Sequence, residues 1–226
     1  MAEADRNRLL DAALALTARK GWRGLTLNAV AKEAGVPLSR VHAAFPSKWS
    51  ILDAFADRVD ETVLARPASE AGEPARDRLF DALMRRFDAM QPHKAAIVAI
   101  AHDLGREPLA LFCTWPRLVK SMVWMLEAAG VDSSGLAGLV RTKGLAVIYL
   151  AAMRAWLSDD SADLARTMAV LDRGLRQAEA AIRFLDKGRQ RARAAARPPA
   201  SRPPAGRKQA PARKPAPRRK KPPRRR

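Results

Sequence analysis

Ser39, Arg40 and His42 stand close together on a short segment bounded by Gly35 on one side and a Phe45-Pro46-Ser47 break on the other. Hydroxyl, guanidinium and imidazole groups in that arrangement can hydrogen-bond phosphates or base edges, and a guanidinium can engage guanine O6 and N7 with two parallel bonds. That is recognition chemistry rather than catalysis. Residue types able to do catalysis do not converge elsewhere. The three histidines, His42, His93 and His102, are scattered, with no pair at i,i+4 and no cysteine at metal-ligand spacing. The chain has no glycine-rich phosphate loop and no Gly-x-Ser-x-Gly elbow. Asp159 and Asp160 are adjacent acids, but they stand just before a helical pattern, where Ser158 or Asp160 is expected to cap and the acids favour the helix dipole. The sequence therefore predicts no enzyme, no cofactor and no metal site.

The elements that must position Ser39, Arg40 and His42 are legible from stop and start signals. Leu9, Leu10, Ala13, Leu14, Leu16 and Thr17 repeat at helical spacing from Asp5 to Lys20, and Gly21 follows as a stop. Thr26 is placed to cap a second helix, Leu27 to Ala34, whose apolar face is Leu27, Val30 and Ala31. Ala34-Gly35-Val36 is a turn with glycine where a positive φ is expected, and Pro37 suits the start of a third helix, Leu38 to Ala44, because its missing N–H costs nothing there. Ser47 can then cap a fourth, Lys48 to about Leu64. Two short helices joined by a glycine turn and braced on both sides predict a helix-turn-helix, with double-stranded DNA as the partner. Thr26, Pro37, Leu38, Ser39, Arg40, His42 and Lys48 are its candidate contacts.

These residues carry a resemblance. Leu9-x-x-Ala12-Ala13, Gly21, Thr26, Val30-Ala31-x-x-Ala34-Gly35-Val36, Phe45 and Ser47-Lys48 resemble the head of the TetR family of bacterial transcriptional regulators. The resemblance implies a homodimer whose three-helix heads enter the major groove, with a larger helical domain that dimerises and binds an inducer. The chain departs from the family's usual Leu-Tyr pair, which is Val41-His42 here, and from the usual glutamate after Ser-Lys, which is Trp49.

The rest of the chain reads as more helix. At 226 residues and 48% apolar content it can bury a core, and with 5% aromatic residues and no long alternating stretch the fold class is all-α. After a polar loop, Arg66 to Pro74, helical stripes run through Leu79, Leu83, Phe87 and Met90, then Ile97, Ile100 and Leu104. A further stripe runs from Leu111 through Trp115 and Met122 to Leu126, with Pro116 expected to bend or break it. The last two are Leu136 to Leu157 and Ser161 to about Lys187, long enough to join two copies. The strings RDRLFDALMRRFDAMQPHKAAI and KGLAVIYLAAMRAWLSDDSADLARTMAVLDRGLRQAE resemble the C-terminal domain of the ubiquinone-biosynthesis accessory protein COQ-nine, a TetR-fold lipid binder. That resemblance implies a cavity for an isoprenoid or acyl chain. Met84, Phe87, Trp115, Met122, Met125, Tyr149, Met153 and Trp156 would supply adaptable walls for it, although a stripe of such residues also makes ordinary core.

The domains read as 1–65 head, 75–187 body and 188–226 tail. The net charge of +19 is mainly the tail's: residues 189–226 hold 16 Lys or Arg and no acid, and the remaining 188 residues carry 26 basic against 23 acidic side chains. Proline-rich and without an apolar residue larger than alanine, that tail is expected to be disordered beyond about Ala196, with the last helix fraying near Gly188. The lone Cys113 excludes an internal disulfide and fits a reducing compartment, so the cytoplasm is expected. The apolar run Gly144 to Met153, flanked by Lys143 and Arg154, is too short to span a bilayer. Three functions remain open: a DNA-binding regulator answering to a hydrophobic molecule, a lipid-binding accessory protein with a vestigial head, and a general basic nucleoid-associated protein driven by its tail.

Overall fold

The computed structural model describes residues 3–66, 72–106 and 108–195, and of 108–113 and 185–195 only the backbone. Nine α-helices follow one another among the described residues: α1 Glu3–Lys20, α2 Leu27–Ala34, α3 Leu38–Ala44, α4 Lys48–Leu64, α5 Ala75–Met90, α6 Lys94–Leu104, α7 Pro108–Ala128, α8 Gly135–Trp156 and α9 Ala165–Ala195, with a 3-10 turn at Gln91–His93 between α5 and α6. No strand occurs among the described residues. Everything before Leu185 forms one compact unit; of the second, which begins there, only the α9 backbone to Ala195 is described. The disordered tail expected beyond about residue 196 lies outside the described residues.

The α1–α3 head packs on the body through α1 against α6, while α4 packs on both α5 and α7. Leu10, Ala13 and Leu14 of α1 are buried with Val30 of α2, Val41 of α3 and Ile51 of α4, so the apolar stripes that mark these helices in the sequence close on one another. Polar links add direction. The Arg23 backbone N–H donates to Asp103 Oδ2 at 3.0 Å, tying the α1–α2 loop to α6. Arg58 of α4 pairs with Asp11 of α1 at 2.6 Å, and its other nitrogen lies 3.1 Å from His93 Nε2. Arg117 of α7 reaches Asp53 and Asp57 of α4.

Three expectations need correction. Pro116 does not break its helix: α7 runs unbroken through it, because Trp115 and Leu118 pack on the core around it and Met122 and Met125 are buried beyond it. The cap of α9 is neither Ser158 nor Asp160. Asp159 Oδ2 accepts from the Thr167 backbone N–H at 2.8 Å and hydroxyl at 2.7 Å, while Oδ1 accepts from Ser161. Ser161 Oγ in turn accepts from the Ala165 N–H, so α9 starts four residues later than its apolar pattern suggests. A left-handed Leu164, at φ 53°, turns the chain into the helix. That helix also runs past Gly188 to Ala195.

By length and composition α8 is long and apolar enough to cross a membrane, as core helices of folded proteins also can be, with a mean hydropathy of 1.4 over its best window, a third of which is buried. Within it the run Gly144 to Met153 is bounded by Lys143 and Arg154, and Arg141 lies on the same helix. One face of α8 is core, with Leu145, Tyr149, Ala152 and Trp156 buried. The opposite face exposes Leu136, Leu139, Val140, Val147 and Leu150, and Ile182 and Phe184 on α9 are exposed as well.

Candidate nucleic-acid interface

The turn between α2 and α3 is closed at both ends by its own residues. Thr26 Oγ1 accepts from the Ala29 N–H at 3.1 Å, as an N-cap must. Gly35 adopts φ 65°, which lets its N–H reach Lys32 O and the Val36 N–H reach Ala31 O, satisfying carbonyls that end α2. A Cβ at Gly35 would meet nothing within 4 Å, so backbone conformation rather than space calls for glycine there. Pro37 sits at the N-cap of α3, with φ −66°.

On α3, Val41 is fully buried, and Phe45 just beyond the helix is buried with it. Those two anchors leave Pro37, Leu38, Ser39, Arg40 and His42 facing solvent on one surface. Leu38 is 49% exposed, and its apolar side chain is of the kind that contacts a thymine methyl. The Arg40 side chain is 62% exposed, with one guanidinium nitrogen 4.0 Å from Asp5 Oδ2.

At the start of α4, Ser47 and Ser50 cap each other reciprocally, each side chain accepting from the other's backbone N–H at 3.2 Å. Lys48 follows, its ammonium 4.6 Å from the centre of the Trp22 ring. Trp49 meets Trp22 edge-on at 5.9 Å. Trp22 is thus a support for Lys48 that the contact pattern of α2 and α3 did not single out; the aromatic residue inside Gly21-Trp22-Arg23-Gly24 was its only signal.

Sequence reasoning also missed a cleft. Asp5, Arg8 and Leu9 of α1 face Ala34, Val36, Pro37 and Arg40 across a space of about 250 Å³. Arg6, on the neighbouring face of α1, lies over the Phe45 ring at 5.8 Å. Nothing in the residue spacing announces this meeting, because it depends on how the first turn of α1 crosses the α2–α3 turn.

In the body, the candidate ligand residues gather in one core. Phe87 stacks on Tyr149 at 5.3 Å and leans on Trp156 at 5.9 Å; Met122 and Met125 are buried, and Met84, Trp115 and Met153 are half-buried against the same cluster. Through this apolar group runs a polar one that sequence reasoning did not find. Arg86 donates to Asp60 and, at 3.1 Å, to the Tyr149 hydroxyl, and Ser121 Oγ donates to Asp60 at 2.7 Å. Burial opposes the Arg86 charge, but Tyr149 and Asp60 outweigh it and its pKa is raised. Burial likewise pushes the Tyr149 phenol up, despite the pull of Arg86. Trp156 Nε1 donates to Gln91 Oε1 at 3.0 Å. Asp160, fully in solvent, pairs with Lys94 at 3.2 Å, so the adjacent acids do not act on one point. Among the described residues no group of His, Cys, Asp and Glu could hold a metal ion.

The head has relatives in sequence: residues 9–55 match the family of bacterial regulatory proteins, tetR family. No curated protein matches the chain. Solved structures extend the likeness to the body. A TetR transcriptional regulator from Nitrosomonas europaea is 24% identical with a TM-score of 0.62, covering 77% of this chain and 97% of that one. One from Rhodococcus sp. RHA1 is 21% identical at a TM-score of 0.58, covering 77% and 94%. A tetR-family regulator from Streptomyces coelicolor is 18% identical at 0.54, covering 80% and 84%. The chain therefore has the TetR-like fold, a helix-turn-helix head of the tetR sequence type carried by a larger helical body.

Proposed function

We propose that the protein is a homodimeric DNA-binding transcriptional regulator. One observation carries this reading: Val41 and Phe45 are buried so that the whole opposite side of α3, with Leu38, Ser39, Arg40 and His42, is left to solvent in a head of the tetR sequence type. A helix held in that way can enter the major groove without disturbing its own packing. Arg40 and His42 supply the sequence-dependent contacts, Leu38 an apolar one, and Thr26, Pro37, Ser39 and Lys48 hold the backbone. Two heads are brought together by the exposed apolar face of α8, with Ile182 and Phe184 of α9 as further exposed apolar residues. In this reading a hydrophobic effector enters the body by opening the packed cluster around Phe87, Tyr149 and Trp156, with Met84, Trp115, Met122, Met125 and Met153 as its deformable wall. Such a regulator works beside the chromosome, in the cytoplasm.

The second reading, a lipid-binding accessory protein with a vestigial head, is favoured by one feature, the apolar outer face of α8, which suits a lipid surface as well as a second copy. Genome-wide footprinting of the tagged protein separates the two. The regulator is expected to give sharp palindromic sites; absence of enrichment, with lipid co-purifying, would establish the second reading instead.

A further inference from the structure

We propose that the cleft between the first turns of α1 and the α2–α3 turn is a seat for a DNA backbone phosphate, gripped by Arg8, and that Asp5 is the counter-ion holding Arg40 until DNA enters and Arg40 turns to the base edges. The proposal rests on the reading of the head as a DNA reader and extends its interface to α1.

The argument starts from what the cleft contains. Arg8 on α1 and Arg40 on α3, carried on different helices, line one space of about 250 Å³ together with a single carboxylate, Asp5, which is 4.0 Å from Arg40. The local balance is positive. Leu9, buried, and Val36, half-buried, offer no side-chain acceptor, so among the lining residues Asp5 is the one carboxylate a cationic ligand would meet. A guanidinium presents a fork of donors that matches the oxygens of a phosphate. A phosphodiester is also the group that arrives at this place when α3 enters a groove, because Pro37 and Arg40 belong to both the cleft and the exposed surface of α3.

Asp5 is at first sight in the wrong place, since a carboxylate beside DNA repels it. Its distance from Arg40 resolves this. At 4.0 Å, with both side chains about half exposed, the pair contributes little and is easily exchanged. Asp5 keeps the Arg40 guanidinium turned toward α1 until DNA draws it to the groove, and its standing charge lowers affinity for every duplex alike. Asp5 also lies in the first turn of α1, where an acid favours the helix dipole, so its removal must be read for stability and for binding separately.

The test is fluorescence anisotropy of the full chain with its footprinted site and with a random duplex, over a series of salt concentrations. Arg8→Ala should weaken both several-fold, keep their ranking, and flatten the slope of log K against log salt by about 0.9 for each head engaged. Arg8→Lys should keep the wild-type slope, and Asp5→Asn should tighten both duplexes. Melting temperatures of all variants, measured in parallel, separate binding from folding. A wild-type slope in Arg8→Ala overturns the seat while leaving the DNA-binding reading intact, and a change in ranking overturns it by placing Arg8 at a base edge. Millimolar inorganic phosphate shifting the Arg8 and Arg40 side-chain resonances, with duplex affinity unmoved by Arg8→Ala, would make the cleft a small-anion site instead. If the wild-type chain binds neither duplex, the regulator reading and the seat fall together.

Discussion

Asp60 of α4 and Arg86 of α5 form an ion pair inside the core, both side chains buried, with Ser121 of α7 donating to the same Asp60 oxygen and Tyr149 of α8 accepting from Arg86. Four helices therefore meet at one charge pair. Removing one partner should leave a buried charge uncompensated at a cost of about 3–5 kcal/mol, whereas replacing both by apolar residues of similar volume is commonly neutral or better. Asp60→Leu is expected to melt far below wild type, and Asp60→Leu with Arg86→Met to recover much of the loss. Denaturant melts of the two single variants, the double variant and the wild type measure this, and additive losses would contradict it.

The His93 imidazole is held below its ordinary pKa, first by burial and then by the Arg58 guanidinium 3.1 Å away. With the folded value depressed, the unfolded chain binds more protons between the folded value and the ordinary 6.5. His93 should thus reduce stability as pH falls below about 6.5, the reverse of a histidine stabilised by an acid. Melting curves between about pH 7 and pH 5 should fall less steeply for His93→Gln than for wild type. Parallel profiles would show that His93 does not titrate differently on folding.

Asp159 and Asp160 are neighbours with separate fates. Burial alone would raise the Asp159 pKa, but the hydrogen bonds from Ser161 and Thr167 outweigh it and hold the carboxyl well below the usual range. Its contribution is present above the unfolded value of about 4 and is lost as pH falls toward the folded one. Asp159→Ala should cost about 1–2 kcal/mol, as loss of a cap does, and Asp160→Ala close to nothing. Chemical denaturation at neutral pH compares them; equal losses would refute the cap.

The outer face of α8 exposes Val140 at 66% and Val147 at 60%, one helical face apart from the buried Leu145 and Tyr149. Val140→Glu with Val147→Glu should convert a dimer into a monomer with unchanged helicity, read by light scattering and circular dichroism. A wild-type monomer at micromolar concentration would rule out this face as a self-contact.

Arg40→Ala should weaken the preferred DNA site by about 1–3 kcal/mol and relax the preference at one base pair if Arg40 makes a bidentate base contact. Equal weakening on random DNA would make it a phosphate clamp. Deletion of residues 196–226, which are dense in Lys and Arg, should instead flatten the salt dependence and leave the ranking of sites unchanged.

What could be read in the sequence was whatever is decided locally. Thr26, Gly35 and Ser47 mark α2, α3 and α4 to the residue because capping and a left-handed turn are settled within four positions of the chain. The Asp60–Arg86 pair was not legible for the opposite reason. Its partners are 26 positions apart, and each sits in the apolar phase of its own helix, Asp60 between Val59 and Val63 and Arg86 between Leu83 and Phe87, where pattern reading expects core and stops. The cap of α9 was misassigned because Leu164 takes a backbone conformation that leucine seldom adopts. The cleft at Arg8 needs the crossing of α1 over the α2–α3 turn, which only packing supplies.

Helix α4 has its first residues in the head and Asp60 pinned in the body. From Asp60 back to Lys48 is about 18 Å of continuous helix at 1.5 Å per residue. As a rigid arm with its fulcrum at the ion pair, it turns a tilt of about 5° into a shift of about 1.5 Å at Lys48. Since a hydrogen bond is lost over a smaller distance than that, the tolerance of the whole head for misalignment is set by how tightly one carboxylate is held in the body.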